Sequence, residues 1–231
     1  MYKLVYEYLD MENRLIDKYF SNNQIKIFHL DYSKKKEFDE SFFKLLSLNE
    51  KRYYLNLKNY LSKKQFLYTR AYLKILLSNF INITPDKIDI QLNKYGKPFI
   101  NNELKINFNV SHSGNKSLFA FSKKYEVGID IEKIDYSLSY KKILSRFHEN
   151  EIFHLSNSNN TKLFFDYWTA KEAFIKMVGK GLYIPLDSFY ISKDWKIYDE
   201  SNLNSVLYHF YNEKEYSQAL VIGNYEYINS L

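Results

Sequence analysis

Glycine and proline restrict where a chain can turn, and this one has few of them: six glycines and three prolines in 231 residues. Its turns must be built mostly from Asn, Ser, Asp and Lys, so each glycine marks a position with a particular backbone demand. Five of the six lie in three compact segments: Gly96 in Tyr95-Gly96-Lys97-Pro98, Gly114 and Gly128 in mid-chain, and Gly179 and Gly181 in Gly179-Lys180-Gly181-Leu182. This placement points to unusual φ/ψ values or to close approach of backbone to a ligand, and it directs the search for chemistry to those segments.

Between these marks the hydrophobic spacing switches between two periods. Phe38, Phe42, Leu45 and Leu46, and then Phe66, Leu67, Ala71, Leu73, Leu76, Leu77 and Phe80, recur at three to four residues and predict helices, the second stopping at Thr84-Pro85-Asp86. Ile88 to Ile90 and Ile106 to Val110 read as short strands, and Leu118 to Phe121 with Val127 to Glu132 as a hairpin closed around Lys123 and Lys124. A second helical block spans Ile143 to Leu155 and Leu163 to Val178, before weak strands at Phe189 to Ile191, Val206 to Phe210 and Ala219 to Ile222. Helix then strands occurs twice, so the expected fold is α/β (α+β) in two lobes, an expectation that rests on element order because no residue-level repeat is visible.

Charge and composition close off several classes. Lys and Arg number 33 against 27 acidic residues, a formal net charge of +6, and 45% hydrophobic with 26% charged residues describes a chain with a core. The most apolar window, 72–83, is broken by Lys74, so no membrane span is expected. Residues 1–12 lack a basic start followed by an apolar run, which argues against a secretory signal and for a cytoplasmic protein. The absence of cysteine excludes disulfides, thiolate catalysis and cysteine-bearing metal centres. The five histidines include no i,i+4 pair, which leaves a hard, oxygen-bound cation as the expected kind of metal. The basic excess is scattered, so it implies a mild preference for acidic partners rather than a nucleic-acid surface.

Three segments carry possible chemistry. In Gly128-Ile129-Asp130-Ile131-Glu132 a strand places both carboxylates on one face and both isoleucines on the other, an arrangement that a cation such as Mg²⁺ favours, although an exposed sheet edge would also tolerate it. In 168–176 a helix places Trp168, Lys171, Glu172 and Lys176 opposite Ala170, Ala173, Phe174 and Met177, either as a functional face or as a solvated one with a Glu172–Lys176 pair. The following Gly179-Lys180-Gly181 reads equally as a glycine cap or an anion-approach loop. Asn109-Val110-Ser111-His112-Ser113-Gly114 supplies hydroxyls, amides and an imidazole suited to phosphate, without any nucleophile-elbow, P-loop or dinucleotide signature. Carboxylates for a cation and lysines for phosphate suggest phosphoryl-type chemistry.

In that order and spacing, Asn109 to Ser113, Val127 to Glu132 and Trp168-x-x-Lys171-Glu172-Ala173-x-x-Lys176-x-x-Gly179-Lys180-Gly181-Leu182 resemble the 4′-phosphopantetheinyl transferases of the surfactin-synthetase-activating type. Tyr95 to Pro98 and Arg146-Phe147 with Glu151 fit the same pattern, which is strong over 95–186 and thinner over 50–76. The resemblance implies a monomer of two pseudo-symmetric lobes, here 1–110 and 111–231, with the active site in the cleft between them. It implies transfer of the phosphopantetheine arm of coenzyme A to a serine of an apo acyl or peptidyl carrier protein, with release of 3′,5′-ADP and no nucleic acid or membrane involved. By motif, Asp130, Glu132 and Glu172 would hold Mg²⁺, and Ser111 and His112 would meet the 3′-phosphate. Tyr95, Gly96, Lys97 and Pro98 would border the adenine, and Lys171 and Lys176 would neutralise the pyrophosphate. Glu172, or a metal-bound water it orients, would be the base for the serine proton, with Glu151 second. Where the family carries arginines ahead of its Phe-x-x-x-Arg helix, this chain has Lys63-Lys64-Gln65-Phe66 before Arg70, so Lys51, Lys63 or Lys64 would have to serve the 3′-phosphate without arginine's forked donors. Two rival readings are another Mg²⁺-dependent phosphoryl or nucleotidyl transferase, and a non-catalytic carrier or nucleic-acid binding module.

Overall fold

The computed structural model describes residues 2–9, 21–101, 106–199, 205–210 and 213–224. The first half of the chain forms strands β1 (Lys3–Tyr8) and β2 (Gln24–Asp31), helices α1 (Glu40–Leu45), α2 (Leu48–Asn56) and α3 (Tyr60–Ile81), and strands β3 (Gln91–Leu92), β4 (Pro98–Phe99), β5 (Asn107–Ser113) and β6 (Lys116–Ser122). The second half forms β7 (Tyr125–Lys133), helices α4 (Lys141–Leu144), α5 (Glu149–Ser156) and α6 (Thr161–Val178), and strands β8 (Phe189–Ile191), β9 (Ile197–Asp199), β10 (Val206–Phe210) and β11 (Tyr216–Asn224).

Side-chain alternation sets the layering. Along β2, Ile25 and Ile27 point one way and Phe28 and Leu30 the other, all fully buried, so the strand must be covered on both faces. One four-stranded sheet has the order β1-β2-β6-β5, and a three-stranded sheet has the order β10-β11-β7. The two sheets face each other across Ile25, Ile27, Leu118, Ala120, Val127, Ile129, Ile131, Leu220 and Ile222. Helix α3 covers the outer face of the first sheet through Tyr68, Tyr72, Leu73, Leu76 and Leu77, and α6 covers that of the second through Ala170, Ala173, Phe174 and Met177. The result is four layers, helix, sheet, sheet and helix, each half burying one face of the other.

The halves repeat at about 100 residues. Thr69 Oγ1 on α3 meets Ser117 Oγ on β6 at 2.6 Å, and Thr169 Oγ1 on α6 meets Ser217 Oγ on β11 at 2.8 Å. The β3–β4 turn closes with Asn93 N–H to Lys97 O, and the β8–β9 turn closes with Ser192 N–H to Lys196 O, both at 2.9 Å. Gly96 has φ of 90° and its counterpart Trp195 has φ of 60°. Side-chain identity has diverged so far that the repeat survives in element order and in these polar contacts.

Three sequence-based expectations are corrected. β6 and β7 do not form a hairpin: β6 pairs with β2 and β5, β7 pairs with β11, and their apolar residues meet between stacked sheets. Residues 88–90 form no strand, because Ile88 packs into the core beside α3 and pairing starts only at Gln91. The helical block from 143 to 155 is two helices, because His148 caps α5: its Nδ1 accepts the Asn150 N–H, and the Glu151 carboxylate accepts the His148 N–H. β5 runs through residue 110, and the chain passes from one sheet to the other between β6 and β7.

Gly128 explains why α6 lies so close to β7. A Cβ there would stand 2.0 Å from Ala173 O and 2.3 Å from Met177 N, so the helix backbone rests directly on the strand. The close approach expected of this glycine is thus made to a helix. Gly128→Ala forces the two backbones apart and is expected to cost about 3 kcal/mol, lowering the thermal midpoint by about 6–12 °C in a melt followed by circular dichroism.

Candidate active site

β5 and β7 lie side by side but belong to different sheets, and the polar face of β5 joins them. Asn107 Nδ2 donates to Tyr125 O (3.1 Å), and Asn109 Oδ1 accepts the Ile129 N–H (2.9 Å). Ser111 Oγ donates to Asp130 Oδ1 (2.7 Å), and Ser113 Oγ donates to Glu132 Oε2 (3.0 Å) while accepting the Lys133 N–H (2.9 Å). Every second residue of β5 therefore bonds to β7, first to its backbone and then to its two carboxylates. The expected faces of β7 are found: Ile129 and Ile131 enter the inter-sheet core, while Asp130 and Glu132 turn towards α6.

Asp130 is only 2% exposed. Its Oδ1 also accepts from Lys176 Nζ at 2.6 Å, and Lys176 bonds Ser111 Oγ at 2.9 Å. Its Oδ2 has no hydrogen-bond partner, which is costly for a buried carboxylate oxygen. Loss of solvent and then the Asp130 charge push the Glu132 carboxyl up to about 7, against hydrogen bonds from Ser113 and Trp168 and the charge of Lys176. Burial and then Asp130 raise Glu172 as well, against the opposing Lys176. Acidic groups on β7 and α6 thus crowd one another around the Lys176 ammonium. Lys176 forms its ion pair across the site with Asp130 rather than along the helix.

Glu172, Lys176 and Gly181 line one side of a cleft of about 290 Å³, and Tyr95, Gly96, Lys97 and Pro98 line the other, with Asn109 and Val110 of β5 between them. Gly179 is a left-handed cap on α6, with φ of 78° and its N–H bonded to Ile175 O, so the glycine-cap reading is the one observed. His112 is exposed at the end of β5.

Other expected residues lie elsewhere. Lys171 is fully buried, with Nζ bonded to Glu151 Oε2 (2.6 Å) and Phe189 O (2.9 Å), and desolvation lowers its pKa to about 8. Glu151 also accepts the Ile191 N–H, so this pair ties α5, α6 and β8 together and neither member reaches the cleft. The helical wheel misplaced Lys171 because α6 is covered on both sides, with the sheet on one and α5 and β8 on the other. Lys64 is buried with Nζ on Ser33 O (3.3 Å), and the Lys51 ammonium lies over the Phe43 ring. Their described contacts are thus to the first lobe rather than to the carboxylates. Lys97 lines the cleft, but its ammonium is bonded to Glu126 and Met177 O. The sequence marked Ser113 only as one of the hydroxyls of the 109–114 segment, whereas it bonds Glu132; Asn93 and Glu126 were missed, and no local signal for them existed.

An all-oxygen donor set with an unpartnered Asp130 Oδ2 fits a hard divalent cation by its chemistry. Among the described residues no three acidic or histidine groups already stand closed as a metal-holding cluster, and Lys176 occupies Asp130 Oδ1.

Residues 126–222 match the sequence profile of the 4′-phosphopantetheinyl transferase superfamily, and residues 33–124 that of the 4′-phosphopantetheinyl transferase N-terminal region. The chain is 41% identical over 169 residues to the 4′-phosphopantetheinyl transferase gsp of Aneurinibacillus migulanus, covering 68% of each chain. It is 39% identical over 109 residues to the 4′-phosphopantetheinyl transferase Sfp of Bacillus subtilis (strain 168), covering 45% of this chain and 48% of that one. Similarity extends to the L-aminoadipate-semialdehyde dehydrogenase-phosphopantetheinyl transferase of Rattus norvegicus, at 30% over 134 residues, 52% of this chain and 43% of that one.

Two outcomes are expected from this geometry. Glu132 holds its proton more tightly folded than unfolded, so stability falls as pH rises from its ordinary value near 4.5 through about 7. Glu132→Gln should remove that slope and raise the thermal midpoint at pH 7.5, read from melts across pH 5–8. Lys171→Met leaves the buried Glu151 carboxylate uncompensated and should cost about 3–5 kcal/mol in denaturant unfolding.

Proposed function

The chain belongs to the 4′-phosphopantetheinyl transferase superfamily and is a transferase, and from that premise we propose that it moves the phosphopantetheine arm of coenzyme A onto a serine of an apo carrier protein, releasing 3′,5′-ADP. The observation that carries this reading is the buried, half-satisfied Asp130, whose charge bears on Glu132 and Glu172 and which is bonded to Lys176, a residue that with Glu172 lines a cleft facing Tyr95 to Pro98.

In this reading Asp130, Glu132 and Glu172 would hold Mg²⁺, which when bound would neutralise the pyrophosphate of coenzyme A and polarise the phosphorus under attack. Lys176, half-buried at the cleft, supplies positive charge where charge develops on the phosphoryl oxygens. Tyr95 to Pro98 border the adenine, and His112, exposed at the end of β5, meets the 3′-phosphate. The serine Oγ attacks the phosphorus attached to pantetheine, the bond from that phosphorus to the 3′,5′-ADP oxygen breaks, and the serine proton passes to Glu172. Glu172 lines the cleft, where it can take that proton directly or through a water that it orients. Glu151 is not available for this role, being buried against Lys171. Ser111 acts by orienting Asp130 and Lys176. The net charge of +6 suits an acidic protein partner, and the reaction calls for neither nucleic acid nor membrane; among the described residues no helix is long and apolar enough to cross one. We place the enzyme in the cytoplasm as a monomer.

Incubation with coenzyme A, Mg²⁺ and a panel of apo carriers, followed by intact-protein mass spectrometry, should add one phosphopantetheine to a carrier, and omission of Mg²⁺ should abolish the addition. Lys176→Met should lower kcat/KM by about 10²–10³-fold. A wild-type enzyme that neither binds coenzyme A nor modifies any carrier would overturn the reading.

A further inference from the structure

The duplicated turns offer an internal comparison. Both close in the same way and both carry lysine at the fifth position, Lys97 and Lys196. Lys196 is exposed and pairs with Asp194 in solvent. Lys97 instead crosses to the other half of the molecule, where its Nζ donates to Glu126 Oε2 at the start of β7 (2.7 Å) and to Met177 O in the last turn of α6 (2.9 Å). Asn93 makes a second crossing: Nδ2 donates to Gly179 O (3.0 Å), while Oδ1 accepts the N–H groups of Tyr95 and Lys97 (both 2.9 Å). Gly179 leaves the room this needs, since a Cβ there would stand 2.7 Å from Lys97 Cδ. The last carbonyls of α6, which a helix cannot satisfy internally, are thus capped by a turn from the opposite lobe.

We propose that Asn93 and Lys97 are positioning residues that fasten the 93–98 turn to the end of α6, so that the cleft wall formed by Tyr95 to Pro98 and the helix face bearing Glu172 and Lys176 hold one fixed separation for coenzyme A. This rests on the transferase reading for the identity of the ligand, and on the contacts alone for the clamp. The turn has two strands of only two residues each, so without the clamp its place over the cleft is weakly held. The cost of losing it falls on binding, because the turn touches the nucleotide end of the co-substrate and not the reacting phosphorus.

Asn93→Asp keeps the acceptor for Tyr95 and Lys97 but replaces the donor to Gly179 O with a carboxylate oxygen. Asn93→Asp and Lys97→Met should each raise KM for coenzyme A about tenfold, with kcat and KM for the carrier within threefold of wild type, while Lys196→Met in the companion turn changes none of these. A loss of folded protein would lower kcat and leave KM alone, so the split separates positioning from plain stability. KM for coenzyme A within twofold of wild type in both clamp variants overturns the proposal. Hydrogen exchange reads the clamp without substrate: in Asn93→Asp the amides of 95–97 and of 177–179 should lose protection together. Unchanged protection overturns the clamp even if the wild type proves inactive with coenzyme A, an outcome that would separately remove the transferase reading.

Discussion

The contact between Gly128 and the backbone of α6 is the constraint on which the site depends. A helix normally stands off a sheet by the length of the side chains between them, but here the strand presents no side chain and the helix rests on it. Asp130, two residues along the same face of β7, therefore reaches Lys176 of α6 directly. The separation of β7 from α6 on which that contact rests is fixed by backbone atoms, which have no rotamers to sample. Ala170 and Ala173, both fully buried, keep the facing side of the helix equally thin.

The other half of the molecule shows what the same architecture becomes without that constraint. Following the ladders from the matched serines, Leu30 pairs with Ser117 as Glu132 pairs with Ser217, and Phe28 pairs with Phe119 as Asp130 pairs with Ala219. At about 100 residues' separation Tyr72 and Leu76 of α3 stand where Glu172 and Lys176 stand in α6. Phe28, Leu30, Tyr72 and Leu76 all belong to one apolar cluster, with Phe80, Phe119 and Phe121 filling the layer between α3 and its sheet. One copy thus keeps its helix at a distance on a bed of rings and supplies stability. The other draws its helix in and gathers three carboxyl groups around one ammonium. Where they join, the polar stripe of β5 against β7 lets the first copy hold the carboxylates of the second.

Legibility in the sequence followed the range of the physics. Period-two alternation around Asp130 and Glu132, the helical spacing up to Val178 and the glycine cap at Gly179 are local rules, and the structure agrees with each. Lys171 shows where local rules stop, because a helical wheel assumes one wet face and α6 has none of that width once α5 and β8 close over it. Likewise the apolar run of β7 does not say whether its partner is the preceding strand or one ninety residues later; burial on both sides suits either, and only the stacking of two sheets decides. Asn93 and Glu126 are ordinary residues in ordinary segments whose partners lie 86 and 29 residues away. Lys97 is marked by its place in Tyr95-Gly96-Lys97-Pro98, but nothing in that window says that its ammonium crosses to Glu126 while that of Lys196 stays in solvent.

Two lysines five residues apart on α6 have opposite electrostatic fates, and solvent decides which can serve a ligand. Lys171 lies between the Phe147 and Phe189 rings with its charge met by Glu151, and an approaching anion would have to pay for desolvation already balanced inside the protein. Lys176 is about a quarter exposed and its partner Asp130 is almost wholly buried. An anion can therefore draw the ammonium outward at little cost in desolvation, but doing so strips Asp130 of its counter-charge while its second oxygen is already unpartnered. The deficit falls where Glu132 and Glu172 are already held above their ordinary pKa values by burial and by the same Asp130 charge. Anion binding at Lys176 is for this reason tied to replacement of positive charge at Asp130, by proton or by cation, and linkage requires each to strengthen the other by the same factor.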